Sequence, residues 1–129
     1  MALEPPPFDL SAPGSVIYDG RLAAQGVRIT RFGQGFKVAA NRAAYRADPD
    51  GYLARADLTD EERARIKARD YRWLVQQGGH IQALQRIAVV DGFYLFHIAA
   101  AELGITAEEL IAACPRRVSG LGGLGGSDG

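Results

Sequence analysis

The sequence predicts an all-α fold: a compact multi-helical domain of about five to seven short helices, with an extended N-terminal arm and a glycine-rich C-terminal tail. Three observations predict it. Between residues 68 and 110 the apolar residues recur three or four apart, at Tyr71 and Leu74, at Ile81, Leu84 and Ile87, and at Phe93, Phe96 and Ala100, the spacing that lines one face of a helix. The same stretch is cut at Gly78-Gly79 and Asp91-Gly92, where glycine supplies the left-handed conformation that ends helices. Finally, four of the six prolines fall in residues 1–15, and the chain closes on VSGLGGLGGSDG, compositions that support neither a helix nor a packed core. The expected organisation is an arm over 1–15, a helical domain over 16–117 and a tail over 118–129.

Within the arm, Pro5-Pro6-Pro7 removes backbone donors and holds the chain extended, and with Phe8 and Leu10 it is either a loosely held terminus or a segment that lies across a partner. A strand-like Val16-Ile17-Tyr18 leads to Asp19, which caps a brief helix over Gly20 to Gln25 that ends at Gly26. The next helix is expected from Thr30 to Ala47, with Phe32, Phe36 and Ala43 on one face. Gly33 and Gly35 weaken it by about 1 kcal/mol each relative to alanine. Its R-F-G-Q-G-F run has neither the third glycine nor the Gly-Lys-Ser/Thr ending of a phosphate loop.

Asp48-Pro49-Asp50-Gly51 turns the chain, and Tyr52 and Leu53 sit on a short helical turn. Thr59 with Glu62 forms a capping box that starts a helix running through 62–77, with Ile66, Tyr71 and either Leu74 or Val75 inward and Arg63, Lys67 and Asp70 in water. The helix opened by His80 buries Ile81, Leu84, Ile87 and Ala88 and leaves Gln82, Gln85 and Arg86 outside. The segment 93–103 is apolar around nearly its whole circumference, as expected of a central helix or of one covered by a partner. Phe96 and His97 are therefore interface candidates. Gly104 ends that helix. Thr106 with Glu109 repeats the capping box before a last helix that turns Leu110, Ile111 and Cys114 inward, and Arg116 follows as a residue for helix-end carbonyls or a partner carboxylate.

Fifteen basic and fifteen acidic residues cancel over 129 residues, so the charge balance points to neither nucleic acid nor an anionic membrane. One cysteine leaves no internal disulfide and no cysteine-based metal cluster. No apolar run approaches the roughly 18 residues of a membrane span, and the N-terminus lacks a signal pattern; the expectation is a cytoplasmic chain. The histidines have no one-turn metal spacing. Together with Asp91 they are the one conceivable two-histidine, one-carboxylate set, but a packed role suits His97 better, and His80, at a joint, is either a local cap or a residue near substrate. Cys114 lacks an adjacent base and reads as a small hydrophobe.

The stretch from Ala68 to Leu110 resembles the core of the small (alpha) subunit of protocatechuate 4,5-dioxygenase, an extradiol ring-cleaving enzyme. Ala68-Arg69-Asp70-Tyr71, Gly78-Gly79, Asp91-Gly92, and Gly104 with Thr106, Glu108 and Glu109 follow the family's order of motifs. Pro13-Gly14-Ser15, Ile17-Tyr18, Gln25-Gly26, Asn41-Arg42, Tyr45 and Ala47-Asp48 extend the likeness over roughly 13–118. The resemblance implies a non-catalytic subunit of a class III extradiol dioxygenase that cleaves a catecholic aromatic acid with O2, inactive alone. It also implies a LigB-like large (beta) subunit that carries Fe(II), in a heteromer such as a dimer of heterodimers, and no metal in this chain. Two departures mark the substrate-proximal residues. His80 stands where the family has asparagine after the double glycine, and Phe93-Tyr94-Leu95 stands where it has Lys-Ser-Phe, so the acid is protocatechuate or a relative such as gallate or a methylated derivative. The reading from another class is a stand-alone helical interaction or regulatory protein of the same fold; a self-contained metalloenzyme is a third.

Overall fold

The computed structural model describes residues 18–114. The arm, the tail, most of the strand-like segment and Arg116 lie outside the described residues. Those residues form nine α-helices and one 3-10 turn, without a strand: α1 Gly20–Gln25, α2 Val27–Gln34, the turn Gly35–Lys37, α3 Ala39–Ala47, α4 Pro49–Arg55, α5 Asp60–Lys67, α6 Tyr71–Gln76, α7 Ile81–Val90, α8 Leu95–Leu103 and α9 Ala107–Ala113. The all-α class holds. The helix count exceeds the expected five to seven because two expected long helices are each broken.

The first break lies within the expected 30–47 helix, which begins earlier, at Val27, and stops at the Gly35–Lys37 turn. Val38 is extended there (φ −90°, ψ 121°). The carbonyls freed by the break are satisfied by side chains from α3: Asn41 Nδ2 donates to the Gly35 oxygen at 2.8 Å and Arg42 Nη1 to the Phe36 oxygen at 2.6 Å. The second break interrupts the expected 62–77 helix after Lys67. Arg69 takes a left-handed conformation (φ 55°), and Asp70 begins α6 by accepting the Trp73 N–H at 3.2 Å. No glycine marks this break, so local sequence gives no sign of it.

Other helix ends follow their local signals. Asp19 accepts the Leu22 N–H at 2.8 Å. Asp48-Pro49-Asp50-Gly51, expected as a turn, instead opens α4: Asp48 accepts the Gly51 N–H at 3.1 Å, and Pro49 takes the first helical position, where its missing N–H costs nothing. The Thr59–Glu62 capping box forms in both directions. At Thr106 only half of the expected box is present: its Oγ1 accepts the Glu109 N–H at 3.1 Å.

Helix α2 packs along α7, α6 and α7 support α8, and α9 leans on α8. Gly33, weakening for an isolated helix, is what lets α2 approach α7, since a Cβ there would collide with the Ala83 backbone. Ile29, Ile66, Leu74, Leu84, Ile87 and Ile98 are fully buried. Beside them Phe32, Phe36, Tyr45 and Tyr52 form an aromatic cluster, with Phe36 stacked on Tyr52 at 5.7 Å and edge-on to Phe32 at 5.1 Å, arrangements that suit the ring quadrupoles.

Several burial expectations fail. Ala43 is exposed, since the break before α3 turns its face away from that of Phe32 and Phe36, and Arg63 is half-buried, its Nε and Nη2 donating to the Leu53 and Ala56 oxygens at 2.9 Å each. Ile81 is exposed: Ala83, Leu84, Ile87, Ala88 and Val90 define the buried arc of α7, and Ile81 falls just beyond its edge. Cys114 is also exposed, because the chain has already left the helix there with extended backbone (φ −70°, ψ 130°). Among the described residues no helix is long and apolar enough to cross a membrane.

Candidate functional site

The residues singled out in the sequence gather at the two ends of α7. At its N-terminus His80 is extended (φ −68°, ψ 136°) and its Nδ1 accepts the Gln82 N–H at 3.2 Å. An accepting Nδ1 leaves the ring proton of the neutral imidazole on Nε2. The His80 N–H donates to Thr30 Oγ1 at 3.0 Å, and the Tyr18 ring meets the imidazole edge-on at 5.6 Å. His80 is thus a local cap, pinned to α2 through Thr30.

At the other end Gly92 (φ 84°) reverses the chain, and the Phe93 N–H donates back to the Ala88 oxygen at 2.8 Å. Helix α8 begins at Leu95, two residues later than expected, because Tyr94 is the extended N-cap. His97 Nδ1 accepts the Tyr94 N–H at 2.9 Å, the packed, backbone-bonded role expected of it. The His97 ring lies 4.9 Å from Phe93, edge-on, and 4.4 Å from Phe96. Tyr94, stacked near Phe96 at 5.8 Å, is 42% exposed and Leu95 is 45% exposed. Helix α8 is therefore not central: it buries Ile98 and Ala100 but leaves Tyr94 and Leu95 exposed at its start and Leu103 and Ile105 exposed at its end.

Sequence reasoning missed the polar group behind this edge. Asp91 is the C-cap of α7, its side chain is only 12% exposed, and its Oδ2 lies 3.4 Å from Arg69 Nε. The Arg69 guanidinium also sits 5.0 Å over the Phe93 ring. Tyr45 and Tyr71 point into the same region. Burial, and then the negative charge of Asp91, pushes the Tyr45 phenol up to about 12 and raises that of Tyr71 as well. The Tyr71 hydroxyl is buried without a hydrogen-bond partner among the described residues. The motifs Ala68-Arg69-Asp70-Tyr71 and Asp91-Gly92 were visible separately; only folding joins them.

Phe93, Tyr94, Phe96 and His97 thus form one contiguous aromatic group with Leu95 at its rim. His80 does not join it, since the ten residues of α7 separate the two ends by about 15 Å. Among the described residues no group of three or more histidine, cysteine, aspartate or glutamate side chains is arranged to hold a metal ion. Each histidine already uses its Nδ1 as a helix cap, so the donor set does not fit an iron site. Two open cavities, of about 420 and 490 Å³, lie against Arg28, Phe32 and Tyr52 and against Arg42, Gln85 and Val89. Neither is lined by His80 or residues 93–97. What this region presents is the exposed Tyr94 ring and Leu95 side chain on a turn fastened by backbone and side-chain hydrogen bonds, with Phe93, Phe96 and His97 half-buried behind them.

The region from Ile29 to Cys114, which contains both ends of α7 and the whole aromatic edge, matches the family described as the LigA subunit of the aromatic-ring-opening dioxygenase LigAB, and the chain belongs to that family.

Proposed function

We propose that the edge formed by Tyr94 and Leu95, with Phe93, Phe96 and His97 behind it, covers the active-site mouth of a LigB-like large subunit that carries the catalytic Fe(II). As a LigA-family chain the protein is the non-catalytic small subunit of a heteromeric extradiol dioxygenase. The observation that carries the closer reading is the exposure of Tyr94 and Leu95 on a turn that backbone and side-chain bonds hold rigidly. An apolar rim held in this way loses little conformational freedom when it docks, which favours binding. His80, at the far end of α7, contacts the same partner at a second point.

The substrate is a catecholic aromatic acid. Leu95 and Phe93 make the wall aliphatic and apolar where the related subunits described above present a ring and a cation, so it suits a relative of protocatechuate with an added apolar group. Arg116 joins the interface from outside the described residues. The helical domain spans 16–117, the assembly is a dimer of heterodimers, and the complex works in the cytoplasm.

The test is co-expression with a LigB-like large subunit, followed by oxygen uptake on protocatechuate, gallate and 3-O-methylgallate with and without this chain. A stable complex with raised turnover is expected. Absence of a complex together with unchanged turnover overturns the proposal and leaves the stand-alone interaction protein.

A further inference from the structure

We infer that Arg69 and Asp91 are positioning residues of the holoenzyme: their pair sets how the 93–95 edge is presented to the partner. The inference rests on the function proposed above. Arg69 occupies the break between α5 and α6 and Asp91 the joint after α7, and their ion pair bridges the two at 3.4 Å. Arg69 holds a left-handed backbone (φ 55°), which is unfavourable for a residue with a side chain and persists where surrounding contacts demand it.

Those contacts are specific. The Arg69 guanidinium reaches Asp91 through Nε and covers the Phe93 ring at 5.0 Å, a planar geometry that lysine cannot reproduce. The Asp91 charge also bears on the buried phenols of Tyr45 from α3 and Tyr71 from α6. On the other side Phe93 meets His97 at 4.9 Å, and His97 Nδ1 receives the Tyr94 N–H. A continuous chain of contacts therefore runs from Asp91 through Arg69, Phe93 and His97 to Tyr94, and its outer end is the exposed rim.

Arg69 sits apart from the deepest packing, while Asp91, 12% exposed, lies at its edge. The side chain of Arg69 is 48% exposed, and Ile87 and Ile98 are fully buried without it. Loosening the pair should shift the rim more than it weakens the fold. Small displacements of a group that shapes an active site have large kinetic effects.

The experiment compares Arg69→Ala, Arg69→Lys and Asp91→Asn with wild type, each reconstituted in full length with the large subunit and assayed on gallate and 3-O-methylgallate. Wild-type-like complex formation and melting are expected. Arg69→Ala should raise KM about tenfold with kcat changed less, the pattern of lost wall contacts, and should alter the ratio of kcat/KM between the two substrates. Arg69→Lys should recover only part of that change, and Asp91→Asn should move the ratio in the same direction. Variants that assemble with wild-type KM and substrate ratio overturn the inference alone, as does a loss of activity that only follows a loss of folded protein. Failure of wild type to assemble overturns the proposed function and this inference together.

Discussion

Gly78 packs its Cα against the carbonyl of Leu22 so closely that a Cβ there would fall well inside 3.0 Å of the Leu22 oxygen. Gly26, at the α1–α2 junction, faces Gly78 in the same contact, and Gly78 also needs its positive φ of 97°. Two glycines 52 positions apart thus let the α6–α7 joint seat on the α1–α2 junction. Gly78→Ala should lower stability by about 2–3 kcal/mol, from backbone collision added to a disfavoured φ. Urea unfolding of the purified chain checks this; a change within about 0.5 kcal/mol, typical of unconstrained surface sites, would contradict the close approach.

Glu62 is buried yet ionised, paired with Arg28 and bonded to Thr59. Burial pushes its carboxyl up, but the Thr59 N–H at 2.7 Å and Arg28 Nε at 3.0 Å together hold it below its ordinary value of 4.5. A carboxyl with a depressed folded-state pKa contributes stability that is fully present above the unfolded value and lost as pH falls through the folded one. Glu62→Gln should therefore be less stable than wild type at pH 7, with the gap closing as pH drops below 4.5. Urea midpoints at pH 7 and pH 3 measure it, and a gap that stays constant would exclude the charge as its source.

Glu102 carries the opposite sign. Burial raises its pKa, Arg72 opposes this only in part, and its Oε1 has no hydrogen-bond partner among the described residues. Ionising it in the fold is unfavourable, so stability falls as pH rises through 4.5 towards the raised folded value and stays lower above it. Glu102→Gln should raise the melting temperature at pH 7 and leave it nearly unchanged at pH 4. An equal rise at both values would point to packing instead of charge.

For His80, the capping bond to Gln82 and the proposed partner contact give different signatures. Loss of the cap alone should cost about 1 kcal/mol. His80→Ala is expected to show no more than that loss in the isolated chain, while kcat/KM of the reconstituted enzyme falls further than the loss of folded protein explains. Reduced melting with wild-type kinetics would assign His80 to capping only.

Much of the fold was legible because its signals are local. Asp19 and Thr59 announce helix starts through side-chain oxygens that reach amides three residues on, and Gly78, Gly92 and Gly104 announce ends through positive φ, whereas Asp48-Pro49-Asp50-Gly51 reads as a turn but caps and opens α4. The apolar period found Leu84, Ile87 and Ala88 but overreached at Ile81, since periodicity gives the direction of a face and not where the neighbouring helix stops covering it.

The sequence by itself determined the helical class, most helix boundaries, the absence of one-turn metal spacing and, through its ordered motifs, membership among the LigA subunits, all of which depend on residues near one another in the chain. The tertiary structure decided the rest. It broke the helix at Arg69, whose side chain meets Asp91 and Phe93 from 22 and 24 positions away. It required glycine at Gly33, where α2 meets the Ala83 backbone. It also parted His80 from the 93–97 edge by the length of α7. Each of these outcomes depends on which distant groups meet, and a one-dimensional pattern of types and spacings does not carry that information.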